Sequence, residues 1–326
     1  MHKKVLPNQI EMLLANYGIS GAKRQHIFTT DFDIYRIETT DQHDGRSLRV
    51  YADEAIHVED IRSEIEWLLA LKDHGLHVPK PLSDGSGQYI HTLATENGGF
   101  RYGVLLTWLS GRFFDKGLTP QRLYRVGFLT GNLHTISERL TKVGHLQTKR
   151  LAFDIDFEAW KDGRRTKSMS LSRSMDEVIR CAADKVQAEL SALTTDATHY
   201  GFIHSDLHQW NYLFLGREAG AIDFGDCGWG HYALDLATVL QYLKYPIAGN
   251  WDHRFQYDKL KDALLLGYAE AKCLPPAVED QIDIYIIARM LYALEWILDD
   301  WPQVDYLPWG PRFLNQSEVV FKEYLS

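Results

Sequence analysis

Three oxygen-bearing side chains near the middle of the chain could do chemistry together. In the stretch Gly201–Asp226, GFIHSDLHQWNYLFLGREAGAIDFGD, Asp206 follows a short apolar run, Asn211 stands five positions later, and Asp223 closes a further apolar run. The composition predicts short strands at Tyr200–Ile203, Asn211–Leu215 and Ala219–Ile222, with polar residues at the joints. Tight turns between them would aim Asp206, Asn211 and Asp223 at one cleft. That set suits phosphoryl transfer: one carboxylate orients a hydroxyl and accepts its proton, while an amide and a second carboxylate hold magnesium. Mg²⁺ takes hard oxygen ligands and uses only one or two carboxylates, leaving the rest of its shell to phosphate and water.

The same residues carry a resemblance. His204-Ser205-Asp206-Leu207-His208-Gln209-Trp210-Asn211 resembles the H-x-D-L-H-x-x-N catalytic loop of the aminoglycoside phosphotransferase and choline kinase superfamily, and Ile222-Asp223-Phe224-Gly225-Asp226 resembles its D-F-G-like metal motif. Arg49-Val50-Tyr51, His77-Val78-Pro79-Lys80-Pro81 and Phe224–Asp235 look most like the branch holding homoserine kinases and stress-response Ser/Thr kinases. The likeness runs over about residues 25 to 245. It implies an α+β, two-lobed protein-kinase-like fold. A small N-terminal antiparallel β-sheet lobe with one helix, residues 1–108, would bind nucleotide, and a larger, mainly helical lobe, residues 109–326, would hold the catalytic and acceptor groups. The cofactors implied are ATP and Mg²⁺, with Asp206 as base, Asn211 and Asp223 as metal ligands, and Asp235 as a brace for the catalytic loop.

Elements upstream have to bring the phosphates to this loop. Ile10, Leu13, Leu14 and Tyr17 recur at helical spacing, and Gln25–Thr30, Phe32–Thr39 and Ser47–Ala52 are β-rich segments joined by polar turns such as Asp41–Gly45. The turn Thr29-Thr30-Asp31 falls where protein kinases place a glycine-rich phosphate loop, but it has no glycine. Arg49 alternates with Leu48 and Val50, so it points to the opposite face of its strand. By the resemblance it takes the place of the kinase phosphate-binding lysine. In the helix expected from Val58 to Lys72, Glu64 lies inside the stripe of Ile61, Ile65, Leu68 and Leu71, where a carboxylate needs a cation; Glu66, on the other face, does not. Arg49 is the expected partner.

Two strands, Gln88–Thr95 and Arg101–Trp108, end at Leu109-Ser110-Gly111, the expected lobe boundary. Thr107 and Leu109 are there the candidate nucleotide contacts, with backbone for the adenine edge and Leu105, Leu106 or Leu109 for its face. Thr119 and Pro120 start a helix expected to reach His134, and Ser174-Met175-Asp176-Glu177 has the form of a capping box. Lys161, Arg164, Arg165 and Lys167 between those helices are expected on a surface loop. Tyr232–Leu243, Tyr257–Ala271 and Gln281–Leu298 are helical by periodicity, and Glu295, Asp299 and Asp300 near Trp301 and Trp309 suggest an acidic, aromatic rim for a cationic acceptor.

The bulk properties agree with a folded enzyme. Of 326 residues, 45% are hydrophobic and 24% charged, enough for a large core, and a net charge of −9 disfavours nucleic acid. Cys181, Cys227 and Cys273 are widely spaced and odd in number, suggesting neither disulfides nor zinc. Met1-His2-Lys3-Lys4 leads into no apolar signal segment, and no stretch is long enough to span a membrane, so a cytoplasmic location is expected. His204 and His208 flanking Asp206 raise a metallohydrolase as a competing reading, which leaves Asn211 and Asp223 without a role. A Ser/Thr protein kinase and a nucleotide-binding pseudokinase also compete. The leading expectation is transfer of the ATP γ-phosphate to a hydroxyl of a small molecule that is homoserine-like, choline-like, another amino alcohol or an aminoglycoside, with no membrane partner.

Overall fold

The computed structural model of the chain describes residues 4–29, 32–38, 45–51, 56–114, 117–166, 171–245, 256–299 and 310–326. Two compact units emerge. The first comprises residues 1–112, 139–150 and 213–225, the second residues 113–138, 151–212 and 226–326. The turn expected at Asp41–Gly45 and most of the Thr29-Thr30-Asp31 turn lie outside the described residues.

The first unit is built on five strands, β1 (Lys23–Thr29), β2 (Phe32–Glu38), β3 (Arg46–Tyr51), β4 (Ile90–Ala94) and β5 (Phe100–Thr107), in the order β1-β2-β3-β5-β4. Every neighbouring pair is antiparallel. Alternation divides the faces of the sheet: Leu48 and Val50 join Ile37, Leu93 and Leu105 in a buried cluster with Ile10, Leu13 and Leu14 of helix α1 (Pro7–Asn16). Arg49 is left on the other face. Gly103 lets α1 approach, since a Cβ there would lie 2.8 Å from Leu13 Cδ1. Helix α2 (Val58–Asp73) buries Ile61, Ile65, Leu68, Leu71 and Glu64, matching the expected stripe. Acidic Glu59 and Asp60 in its first turn and Lys72 in its last complement the helix dipole. Ser63 Oγ on α2 accepts the Gln147 and Thr148 N–H groups at 3.1 Å each, so residues 139–150 fold against this helix.

In the second unit, helix α3 (Pro120–Lys142) starts as expected, with Thr119 Oγ1 accepting the Arg122 N–H at 3.3 Å. It continues two turns past the expected end at His134, because Ile136 and Ser137 are buried as well and no Gly or Pro interrupts the chain before Gly144. After a short α4 (Phe157–Lys161) comes α5 (Arg173–Ser191). Its N-cap is Ser172, which accepts the Met175 N–H, and not Ser174 as the capping-box spacing suggested. Starting there puts Met175, Ile179, Ala182, Ala183 and Val186 on the buried face. Strand β6 (Tyr200–Ile203) pairs antiparallel with β9 (Gly228–His231), and β7 (Tyr212–Leu215) with β8 (Glu218–Ala221) forms a second two-stranded sheet, most of which lies in the first unit.

Helices α6 (Tyr232–Lys244), α7 (Tyr257–Ala271) and α8 (Val278–Asp299) follow, then α9 (Gly310–Leu325), which was not foreseen. Its buried Phe313, Leu314, Ser317, Val320 and Phe321 keep helical spacing, but only Ser317 interrupts them as a polar signal. Gly127 of α3 and Gly267 of α7 mark a crossing of bare backbones: a Cβ on either would fall 1.9 Å from a carbonyl oxygen of the other helix, Leu264 and Tyr124 respectively. Among the described residues no helix is long and apolar enough to cross a membrane.

Candidate active site

In the first unit, Arg49 and Glu64 are brought together as the sequence suggested. Both are buried, at 6% and 2% exposure, and Arg49 Nη1 donates to Glu64 Oε1 at 2.6 Å. Burial disfavours the Arg49 charge, but Glu64, Tyr51 and Asp223 outweigh it and hold the guanidinium firmly protonated. The second carboxylate oxygen of Glu64 accepts the Tyr51 hydroxyl at 2.9 Å, and burial keeps that phenol neutral and donating. Arg49 Nη2 donates to Asp223 Oδ1 at 3.3 Å. The guanidinium also lies over Phe32, 4.4 Å from the ring centroid.

Asp223 sits just past β8 with a positive φ of 64°, a conformation few non-glycine residues adopt and one found where function requires it. The residues around it fix that geometry. Phe224 is buried and meets Trp67 of α2 edge to face at 5.3 Å, while a Cβ on Gly225 would clash with Phe32 at 2.4 Å. The segment carrying Asp223 is thus packed on the helix carrying Glu64 and on the strand next to Arg49.

Arg101, which the sequence does not mark as a site residue, sets the end of β3. It is 2% exposed, and its Nε and Nη2 donate to the carbonyls of Tyr51 and Val50 at 2.6 and 2.8 Å while Nη1 donates to Asp33 Oδ2 at 2.6 Å. Burial raises the Asp33 pKa, but Thr29 and Arg101 prevail and bring it below the ordinary carboxylate range. By pattern alone Arg101 looks like any arginine near the start of a strand. Thr107 lies at the end of β5, where its hydroxyl accepts the Lys80 N–H and its own N–H donates to Lys80 O, both at 2.9 Å. The Trp108 N–H goes to Gly45 O at 3.0 Å. Half-buried Leu109 follows.

In the second unit, Asp206 and Asn211 meet. Asn211 Nδ2 donates to Asp206 O at 2.8 Å and to Asp206 Oδ2 at 3.0 Å. Its nitrogen spent, Asn211 has its carbonyl oxygen left as a ligand atom. Oxygen donors of this kind on Asn211, and the carboxylate of Asp223, match what Mg²⁺ takes. His208 Nε2 is 3.3 Å from the same Asp206 oxygen, and His208 Nδ1 accepts the Trp210 N–H, which leaves the proton on Nε2. Arg289 of α8 donates from Nη2 to Asp206 Oδ1 and from Nη1 to Ser205 O, both at 3.0 Å.

Ser205 has a positive φ of 73° and is pinned on several sides. Its N–H donates to Asp235 Oδ1 at 2.6 Å, its hydroxyl to Ala152 O, and its carbonyl also accepts Thr238 Oγ1 at 3.3 Å. Asp235 is fully buried and takes the His204 N–H at 3.0 Å and His134 Nε2 at 2.9 Å. Burial alone would raise its pKa; the His134 hydrogen bond and the backbone N–H groups lower it instead. Burial in turn drives the His134 imidazole below 6.5 and keeps it neutral. Asp235 therefore ties two helices to the loop before Asp206. His204 is buried within the loop, its Nδ1 accepting the Asp206 N–H at 3.3 Å.

Of the acidic rim expected at Glu295, Asp299 and Asp300, only the Glu295 side chain lies among the described residues, and it is not open for a cation. Glu295 is 8% exposed and ion-paired with Arg165, so its charge is already matched; Asp300, Trp301 and Trp309 lie outside the described residues. The two ends of that pair help line a cavity of about 660 Å³ with Asp154, Asp156, Glu158 and Tyr292. Arg165, read from sequence as a loop cation, is partly buried for the same reason.

Comparison with known proteins adds four findings. The profile of the family described as "Phosphotransferase enzyme family" matches residues 29–274. Amicoumacin kinase of Bacillus subtilis (strain 168) is 25% identical over 265 residues, covering 81% of this chain and 76% of its own. Homoserine kinase of Rhodopseudomonas palustris is 26% identical over 251 residues, 76% of this chain and 70% of its own. The solved structure of amicoumacin kinase hAmiN in complex with AMP-PNP, Ca²⁺ and Ami has the same fold, with a TM-score of 0.73 at 19% identity over 97% of this chain and 90% of the other.

Proposed function

Since the chain belongs to the phosphotransferase enzyme family, we propose that it moves the γ-phosphate of Mg–ATP to the hydroxyl of a small, amine-bearing acceptor in the cytoplasm. The acceptor oxygen bonds to the γ-phosphorus, the bond from that phosphorus to the β-phosphate oxygen breaks, and ADP leaves with the electron pair. Asp206 orients the acceptor hydroxyl and takes its proton. Arg49, fixed by Glu64 and Tyr51, grips the phosphates. Asn211 and Asp223 hold the magnesium ion, which supplies charge neutralisation on the phosphate oxygens. Leu109 contributes the N–H that follows the two engaged ones of Thr107 and Trp108, and its side chain covers the adenine face; Thr107 shapes the strand end.

The observation that carries this reading is the immobilised carboxylate of Asp206, held on both oxygens yet with 27% of its side chain still open to solvent. A carboxylate so fixed and still accessible is suited to aligning a hydroxyl. ATP and a divalent ion are supported by the AMP-PNP and Ca²⁺ of the amicoumacin kinase structure. An amine on the acceptor is supported by the homoserine kinase likeness and by the cavity whose described lining carries Asp154, Asp156 and Glu158 beside the Arg165–Glu295 pair.

The test is a panel of amino alcohols and aminoglycosides, with a generic protein substrate included, assayed with wild type and Asp206→Asn. Wild type should phosphorylate a small amine-bearing alcohol, and Asp206→Asn should retain Mg–ATP binding while losing about 10²–10⁴-fold in kcat. Turnover of Asp206→Asn at the wild-type rate would sink the assignment. Phosphorylation of protein alone would replace the acceptor class, and nucleotide binding without any transfer would leave a pseudokinase.

A further inference from the structure

Helix α8 is apolar where it packs: Ile286, Ile287, Ala288, Met290, Leu291 and Leu294 are all buried. Arg289 stands in the middle of that run with only 6% of its surface exposed. A guanidinium in such a place is expensive unless it is paired and hydrogen-bonded. Beside the buried Tyr242 of α6, it donates to two consecutive residues of one loop, the carbonyl of Ser205 and the carboxylate of Asp206, each at 3.0 Å. The fork is planar and rigid, so holding two acceptors fixes the loop's orientation as well as its distance.

The pairing is incomplete from the arginine's own side. Its Nε is buried without a hydrogen-bond partner among the described residues. A side chain placed only to satisfy itself would use that donor; this one instead spends both terminal nitrogens on the catalytic loop. Asp206 is then gripped from two sides, Oδ1 by Arg289 and Oδ2 by Asn211 and His208. Ser205 is gripped by Asp235, Thr238 and Arg289 in a left-handed conformation that needs such support. With Oδ2 shared by two donors, Arg289 is the side chain among the described residues that holds Oδ1.

We propose that Arg289 is a positioning residue for phosphoryl transfer: anchored on Ser205 O, it aims Asp206 Oδ1 at the acceptor hydroxyl and acts on the reaction only through that carboxylate. This rests on the role given to Asp206 above. Its contribution belongs to kcat and not to nucleotide affinity, since misplacing a reacting group by a fraction of an ångström to an ångström is enough to lose about 10²-fold in rate.

The test is a double-mutant cycle on wild type, Arg289→Gln, Asp206→Asn and the double variant, with Arg289→Lys added in case the glutamine variant folds poorly. Transfer to the acceptor found in the panel is the readout, or ATP hydrolysis if water is the one acceptor used, and thermal melts and Mg–ATP titrations accompany each protein. Arg289→Gln should lower kcat by about 10–100-fold with KM for ATP within about threefold of wild type. In the Asp206→Asn background the same change should cost nothing further, because the group it aims is gone. Arg289→Lys, which keeps the charge, should recover part of the rate. Equal losses from Arg289→Gln with and without Asp206→Asn would mean that Arg289 merely supports the fold and would overturn the proposal. So would a normal kcat in Arg289→Gln while Asp206→Asn is crippled, a result that leaves the role of Asp206 standing. A normal rate in Asp206→Asn would overturn both.

Discussion

Glu64→Gln is the sharpest probe of the first unit, because it keeps shape and removes one charge from a closed group. The Glu64 carboxylate accepts from Arg49 at 2.6 Å and from Tyr51 at 2.9 Å, and both ion-pair partners are more than nine-tenths buried. Glutamine offers one oxygen to Arg49 and turns its amino group to the Tyr51 hydroxyl. Removing one partner of a buried pair costs about 3–5 kcal/mol, since the remaining charge is left uncompensated. Asp223 at 3.3 Å takes up part of the Arg49 charge, which places the expected loss at the low end, about 3 kcal/mol. The same shift draws Arg49 towards Asp223 and away from the phosphates, and losing one preorganised donor is worth about 10²–10³ in kcat. Urea denaturation and steady-state kinetics on the same preparations would measure both. Glu66→Gln serves as control: Glu66 is exposed on the opposite face, so its change should stay within about 0.5 kcal/mol. If Glu64→Gln matched that control in stability and kept wild-type kcat, the Arg49–Glu64 pair would be irrelevant to both fold and chemistry.

Asp223→Ala should make ATP affinity insensitive to magnesium, whereas wild type should bind more tightly with the ion; calorimetry with and without Mg²⁺ decides, and a persisting magnesium effect in the variant would refute the ligand assignment. Gly127→Ala and Gly267→Ala should each destabilise by about 3 kcal/mol or more, because the new methyl would lie 1.9 Å from backbone and cannot be accommodated by a rotamer change; an unchanged urea midpoint would show that the two helices part easily. Acid should weaken the fold through His134. Burial lowers its pKa beneath the unfolded value of 6.5, so its contribution is complete above 6.5 and declines as pH falls below it, by up to about 1.4 kcal/mol per pH unit. Asp235, also lowered, adds a further loss below the ordinary 3.8. Urea midpoints at pH 7 and pH 5 should therefore differ, and differ less in His134→Gln; an equal difference in both proteins would assign the effect elsewhere.

Much of the site was legible because its residues break local rules. Glu64 announced itself as a carboxylate inside an apolar stripe, and Arg49 as the charge between Leu48 and Val50, so their meeting needed only the right fold. Asp206 and Asn211 stood out by spacing. Arg289 breaks the same rule on α8, yet its partner lies 83 residues earlier, and periodicity carries no information about contacts at that separation. Arg101 was hidden differently, since most of what it holds is backbone carbonyl, which any sequence supplies. Glu295 shows the opposite error: an acid at a helix end looks available until the loop carrying Arg165 folds over it. For α5 two serines two residues apart both had capping chemistry, and the choice between them is made by which start buries Met175. Helix α9 keeps a regular apolar spacing, with Phe313, Leu314, Val320 and Phe321 on its buried face.

The contact between Arg49 and Asp223 also bears on the order in which ligands arrive. Arg49 Nη2 lies 3.3 Å from Asp223 Oδ1, so the carboxylate proposed for the metal is partly neutralised by the cation proposed for the phosphates. A polyphosphate that attracts Arg49 strips Asp223 of its counter-charge, and the carboxylate then attracts a divalent ion more strongly than before. Thermodynamic reciprocity requires the converse: an ion on Asp223 displaces Arg49 and offers it to the phosphates. One arginine shared by two carboxylates would thus make nucleotide and metal binding positively cooperative, while Glu64 keeps the guanidinium from leaving the site altogether.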